Sequence, residues 1–378
     1  MDGRRPRILY VATEYMLGMR PYALSIIREA LSPDDHVLIV LRKENHGFIN
    51  DFDFVKRHQL HVYQYPEGKL KRIAFRLWPR EFYNQLSDIV GRNRIDIVHL
   101  LTGELILAGY IKRLVGATNV LHTVHDAIPH ESKHASVGTI INERFFLNRP
   151  NRLMNQSVKY AVTNSQAQLE YIREHFPGQK HYYAHFPSLV TPSMCAGKRV
   201  VKELAGIDNY ILFFGRVEKY KGIDPLIEAY RGERGLAAYP LIIAGKGEVD
   251  YNEAYPGTAG LIHLNRFIAD DELNDLFGKA AVVVYPYISA TQSGVLSVAS
   301  FYGRKVVLSD VPFFKEEASG ADGFFFFKNG DRASLAKALT EALASSATST
   351  KLYQERYSSS TIREELNSIY NDIIDDNG

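Results

Sequence analysis

Cysteine is almost absent. The 378 residues hold one, Cys195, so no internal disulfide can form and the chain fits a reducing compartment. Tryptophan also occurs once, at Trp78. Long apolar runs are missing: no stretch approaches the ~18 apolar residues of a spanning helix. The run after the basic start, Ile8 to Ala12, is too short for a signal-peptide core and reads as a first strand. A cytoplasmic protein is expected, soluble or at most peripheral at the inner membrane. The fingerprint G-x-G-x-x-G does not follow that strand, which counts against a dinucleotide oxidoreductase. Net charge is only +2, but residues 1–199 carry +9 and residues 200–378 carry −7. A basic first half suits an anionic partner: a phosphate-bearing ligand, a membrane surface or nucleic acid. Compositional scatter between two domains is the other reading.

What is present is a long alternation. The length suits two domains, and 46% hydrophobic residues allow sizeable cores. Strands are expected at Ile8–Ala12, His36–Leu41, Ile95–Leu100, Asn119–Val124 and Tyr160–Thr163, with helices over Tyr22–Leu31, Glu104–Val115 and Gln166–His175. Pro187, Pro192, Ser193 and Gly197 mark a linker. A second series follows, with strands at Tyr210–Phe214, Leu241–Ala244, Leu261–Leu264, Ala281–Tyr285, Val306–Ser309 and Phe324–Phe327. Its helices fall at Asp271–Phe277, Val295–Tyr302 and Arg332–Leu343, and a last one at Thr361–Ile374. Strands separated by helix-length segments predict an α/β fold: two doubly wound parallel sheets facing across a cleft. The expected boundaries are 1–190, 198–358 and a crossing C-terminal helix over 359–378.

The stretch Tyr210 to Tyr230 concentrates the chemistry. A buried strand ends at Gly215, a basic loop carries Arg216, Lys219 and Lys221, and Gly222 leads into a helix. Strand, glycine turn and helix N-terminus make a natural anion site, and two cations five residues apart suit a pyrophosphate. The alternative is a solvated loop with merely exposed cations.

Three further segments bear on function. Lys69 to Tyr83 interleaves Lys69, Lys71, Arg72, Arg76 and Arg80 with Leu70, Ile73, Phe75, Leu77, Trp78 and Phe82. It reads as a membrane-surface helix, or as an ordinary helix packing its apolar face on the sheet; Pro79 breaks or ends it in either case. His130-Glu131-Ser132-Lys133-His134 is a literal H-E-x-x-H, but its polar setting after Pro129 argues against zinc. Asp51-Phe52-Asp53 is a literal Asp-x-Asp that ends no clear strand and is discounted. No metal is expected.

The segments FGRVEKYKG, IAGKGE (with Gly245) and YPYISATQSGVLSVASFYGRKVVLSD, together with TVHDAIPH, resemble the retaining GT-B glycosyltransferases of family four, the group 1 glycosyltransferases. The resemblance implies a GT-B fold of two Rossmann-like domains, metal-independent sugar transfer from a nucleotide diphosphate sugar, and no cofactor beyond that co-substrate. By the same resemblance, Arg216 and Lys221 neutralise the donor diphosphate, and Phe267 and Ile268 lie in the base-binding loop; where the chain turns into the helix at Val295, amides of Ser293, Gly294 and Val295 are placed to hold phosphate oxygens at its N-terminus. Phe267 as a core aromatic is the plainer alternative. His125, with Asp126, follows a strand end and matches the histidine that contacts the transferred sugar. Gly18 matches the first-strand glycine loop loosely. Expected partners are the nucleotide sugar and a glycan or polyprenyl-diphosphate-linked acceptor, with possible membrane contact through 69–83 and no nucleic acid.

One departure stands out. The family commonly carries two Glu seven residues apart. Those positions fall here on Thr291 and Ala299 or on Ala290 and Val298, none of them acidic. Ribose and sugar contacts are then expected from elsewhere, with Thr291 and Gln292 as candidates. Rival readings are a sugar-nucleotide epimerase of the same architecture and a catalytically degenerate nucleotide-sugar binding protein.

Overall fold

The apolar runs of the first half form β1 Ile8–Ala12, β2 His36–Leu41, β3 Leu60–Gln64, β4 Ile97–Leu100, β5 Asn119–Thr123, β6 Tyr160–Thr163 and β7 Lys180–Tyr183. They pair in parallel in the order β3-β2-β1-β4-β5-β6-β7. The computed structural model describes residues 4–15, 19–125, 127, 149–290, 293–357 and 359–376. Every residue of β1, β2 and β4 is buried, as a parallel sheet covered by helices on both faces requires. The covering helices are α1 Arg20–Ala30, α2 Lys69–Leu77, α3 Arg80–Asn93, α4 Ile111–Val115, α5 Arg149–Ser157 and α6 Gln166–His175.

Two strands escaped the sequence pattern. β3 (LHVYQ) and β7 (KHYY) are the sheet edges and are only partly buried, so neither shows the apolar run that marks a central strand. The helix expected over 104–115 is also not continuous. Gly103 and Glu104 take left-handed backbone (φ 90° and 41°), a single 3-10 turn Leu105–Leu107 follows, and regular helix covers only Ile111–Val115. The cause is Glu104, whose carboxylate turns inward to serve backbone amides rather than standing on a helix surface.

The second half repeats the plan: β8 Tyr210–Phe214, β9 Leu241–Ala244, β10 Leu261–Leu264, β11 Ala280–Tyr285, β12 Val306–Ser309 and β13 Phe324–Phe327, parallel in the order β10-β9-β8-β11-β12-β13. Its helices are α7 Pro192–Ala196, α8 Ile223–Gly232, α9 Tyr251–Ala254, α10 Leu273–Gly278, α11 Val295–Phe301, α12 Pro312–Ala318, α13 Arg332–Ala344 and α14 Thr350–Arg356. One large apolar core runs through this half. The stretch read as linker is structured: the Thr191 hydroxyl caps α7 at the Met194 amide, and Met194 is buried in that core.

The chain divides into two units, residues 1–186 with 359–378, and residues 187–358. The closing helix α15, Ser359–Asp375, therefore belongs to the first unit. It buries Ile362, Leu366, Ile369, Tyr370 and Ile373 there, each on the order of 1.5–3 kcal/mol of gross apolar transfer. The Tyr370 hydroxyl meets His99 Nδ1 at 2.7 Å, and Asp372 and Asp376 pair with Lys180 and Lys159 on the sheet edge, each at 2.7 Å.

Candidate functional site

In the second unit the strand order turns back between β8 and β11, and loops at the carboxyl ends of parallel strands meet at such a point. Gly215 ends β8 and Gly245 ends β9. The two touch so closely that a Cβ on Gly245 would stand 1.9 Å from the Gly215 carbonyl oxygen. Gly222, at φ 70°, leaves 2.0 Å between its own would-be Cβ and the Pro286 oxygen after β11. The Ile288 amide also donates to the Tyr220 carbonyl at 2.7 Å. These glycines are required by contact: they let the β8 loop, the β9 loop and the β11 end close on one another.

That closure positions the two cations differently. Arg216 is 72% exposed and pairs with Glu218 at 2.8 Å. Lys221 is buried, with its ammonium 5.0 Å from the Tyr287 ring and 5.8 Å from the Tyr220 ring. It forms no ion pair among the described residues, and burial lowers its pKa, a shift reinforced by Arg216 and opposed by Tyr220 and Glu218. A buried ammonium with two aromatic faces beside it and Glu218 acting on it without an ion pair is an incomplete arrangement, and an anion would complete it. Sequence reasoning missed Glu218 and Tyr287; that Tyr287 would underlie Lys221 depends on the β8–β11 pairing.

The other expected residues of this unit lie at the same strand ends. Gly294 caps α11, where its carbonyl accepts from the Ser297 amide and hydroxyl; Val295 opens the helix, and Ser293 precedes it. After β10, Phe267 is 58% exposed while Ile268 is buried, so Phe267 is not a core aromatic. Val298 and Ala299, where the family's second acid would fall, are buried in the core.

The first unit gathers a second group at the ends of β1, β4, β5 and β6. His125 follows β5, with its Nε2 2.7 Å from the Leu101 carbonyl and its ring edge-on to Tyr22 at 4.7 Å. Tyr22 donates to Asn164 at 3.0 Å, and the Gln168 amide nitrogen donates to the His125 carbonyl. Behind them, burial pushes His99 and His122 down to about 3, so both are neutral near pH 7. Glu104 is fully buried: its Oε1 accepts from the Thr102 amide (2.7 Å), the Thr102 hydroxyl (2.5 Å) and the Thr13 amide (3.4 Å). Its Oε2 is buried without a hydrogen-bond partner among the described residues. Burial pushes its pKa up to about 8, against the pull of those donors. The sequence pattern opens a helix at Glu104 and gives no sign that its side chain is buried; an acid shortly after a strand, following Thr-Gly, was the available signal.

Gly18, Asp126, Thr291, Gln292 and the His130–His134 pattern lie outside the described residues. Asp51 of the Asp-x-Asp pair is engaged by Arg20 at 2.6 Å and by the Tyr15 hydroxyl at 2.9 Å. Among the described residues no group of three or more His, Cys, Asp or Glu could hold a metal ion.

Residues 208–345, which hold the cation loop and the α11 turn, match the family described as Glycosyl transferases group 1. The match falls within the second unit and leaves the first unit outside it. The whole chain, in turn, resembles solved structures. HepE from Anabaena in complex with UDP is 16% identical over 97% of this chain and 100% of its own, with a TM-score of 0.67. Sucrose-phosphate synthase from Thermosynechococcus elongatus is 15% identical over 98% and 99% of the two chains, with a TM-score of 0.69. A glycosyltransferase from Rickettsia africae is 11% identical over 98% and 99%, with a TM-score of 0.65. At these identities the likeness speaks for the fold, which is GT-B with two Rossmann-like units. No curated protein matches by sequence. Within the second unit, Gly245 directly follows β9, Arg216 and Lys221 lie in the segment between β8 and α8, Phe267 and Ile268 in the segment after β10, and Ser293, Gly294 and Val295 at the start of α11.

Proposed function

We propose that the chain is a retaining glycosyltransferase of family four, which moves a sugar from a nucleotide diphosphate donor to a glycan or polyprenyl-diphosphate-linked acceptor in surface polysaccharide synthesis. The observation that carries this reading is the pair Arg216 and Lys221 at the switch point of a group 1 transferase domain. Cleaving the anomeric C–O bond leaves a nucleoside diphosphate whose charge grows in the transition state. Cations already fixed in place stabilise that charge without reorganising. Lys221 and Arg216 supply this counter-charge themselves, so the step needs no metal to do it. The acceptor oxygen bonds to the anomeric carbon on the face the phosphate leaves, and the departing phosphate oxygen takes the acceptor proton. Gly245 admits the donor backbone-close, Phe267 and Ile268 flank the base, and Ser293, Gly294 and Val295, with Thr291 and Gln292, face phosphate and sugar. His125 and Asp126 serve the reacting sugar. The basic surplus of the first half suits an anionic acceptor on a membrane's inner face.

HepE is crystallised with UDP and with UDP-glucose, which makes uridine diphosphate the first nucleotide to test. Calorimetric titration of UDP into the wild type and Arg216→Ala should show the variant weaker by about tenfold or more, the scale of one lost charge-assisted contact. Equal affinities overturn the diphosphate role. The apolar residues Val298 and Ala299 at the acid positions favour a second reading, a nucleotide-sugar binding protein without turnover. Release of UDP from a panel of donors and acceptors separates the two.

A further inference from the structure

Helix α2 has two apolar sides. Phe75 is its one buried residue, stacked on Tyr63 at 5.4 Å and set edge-on to Tyr65 at 5.2 Å. At about 100° per residue, Leu70, Ile73 and Leu77 lie within a ~60° arc on the side roughly opposite Phe75. That arc meets solvent: Leu70 is 84% exposed, Leu77 60% and Ile73 45%. Trp78, which ends the helix, is 75% exposed. An ordinary surface helix turns such a stripe onto its sheet; here a single phenylalanine anchors the helix and the stripe is left uncovered.

The charges of the helix itself, between Glu67 before it and Glu81 after Arg80, have one sign. Lys69, Lys71, Arg72, Arg76 and Arg80 are all exposed, and none forms an ion pair among the described residues. No acid occurs from Gly68 to Arg80, and Glu67 is already paired with Lys43 at 3.4 Å. A nucleic acid would answer the cations but leave the leucines in water. An anionic phospholipid surface answers both, taking the side chains into the headgroup boundary and the cations onto its phosphates. We infer that the exposed face of α2, with Trp78, docks the first unit on an anionic lipid membrane. The inference stands on this helix alone and holds whether or not the chain transfers sugar.

The only tryptophan of the chain sits in the contact, so it reports on it directly. Mixing the full-length protein with phosphatidylglycerol vesicles should shift Trp78 emission to shorter wavelength, shield it from a soluble quencher and sediment the protein with the lipid. Pure phosphatidylcholine vesicles, or raised salt, should weaken binding about tenfold or more. Leu77→Ser and the pair Lys71→Glu with Arg72→Glu should each weaken it similarly while circular dichroism stays unchanged. A soluble glycerophosphate should leave the emission where it is. No shift and no sedimentation on phosphatidylglycerol overturn the inference. So does a Trp78 shift that rises with protein concentration in the absence of vesicles, alongside a dimer in sedimentation velocity, since a second copy would then cover the stripe.

Discussion

Replacing Glu104 by glutamine tests how the first unit holds its β1 and β4 loops. The carboxyl is fully buried, yet its pKa is pushed up to about 8 against 4.5 for the free side chain. Between those two values the folded chain keeps a proton that the unfolded chain has lost. Stability therefore falls as pH rises from about 4.5 to about 8 and levels off above that, the reverse of a salt-bridged acid. At 1.36 kcal/mol per pH unit, the ceiling on this loss is about 5 kcal/mol. Structural relaxation and water entry reduce it, and roughly 2–3 kcal/mol is the expected scale. Glutamine keeps the shape and an oxygen for the Thr13 and Thr102 amides, and it carries no titrating proton. Urea unfolding of the wild type and Glu104→Gln, compared from pH 4.5 to 8, should show the variant gaining steadily on the wild type. Parallel curves would refute the buried neutral acid. A wild type that gains on the variant as pH rises would show a charged carboxylate stabilised by its three donors.

The second unit offers two further tests. Lys221→Met removes a buried ammonium that lacks an ion pair, so it should raise the melting temperature or leave it unchanged while UDP affinity drops about tenfold or more; a loss of both would assign Lys221 to the fold instead. Gly245→Ala puts a methyl 1.9 Å from the Gly215 oxygen and should cost about 1–3 kcal/mol in denaturant unfolding. Gly91→Ala in α3, where a Cβ meets nothing within 4 Å, should instead stabilise by roughly 0.5–1 kcal/mol.

Local chemistry made much of this legible. Runs such as ILYVA, HVLIVL and AAVVVY can be satisfied only as strands buried on both faces, so the central strands and the parallel α/β plan follow from composition and spacing. The FGRVEKYKG segment reads as a strand end followed by a basic loop, and β8 does end at Phe214 with a 3-10 turn over Lys219–Lys221 after it. Edge strands were hidden because an edge need not be apolar: β3 and β7 place tyrosines and histidines where a central strand places valines. The sequence left the apolar stripe of α2 open between a membrane surface and the sheet for a related reason, since a periodic pattern shows that a helix has an apolar face without showing which way the face turns.

The sequence by itself determined the class of fold, the positions of the buried strands and the identity of the loop that gathers positive charge. Each depends on residues near one another along the chain. Only the tertiary structure decided that Lys221 is buried over Tyr287 while Arg216 stays exposed, and that Glu104 turns inward beneath Thr13. Those outcomes depend on strands far apart in sequence pairing side by side. Burial in such surroundings, rather than the residue type, sets whether a side chain keeps its charge.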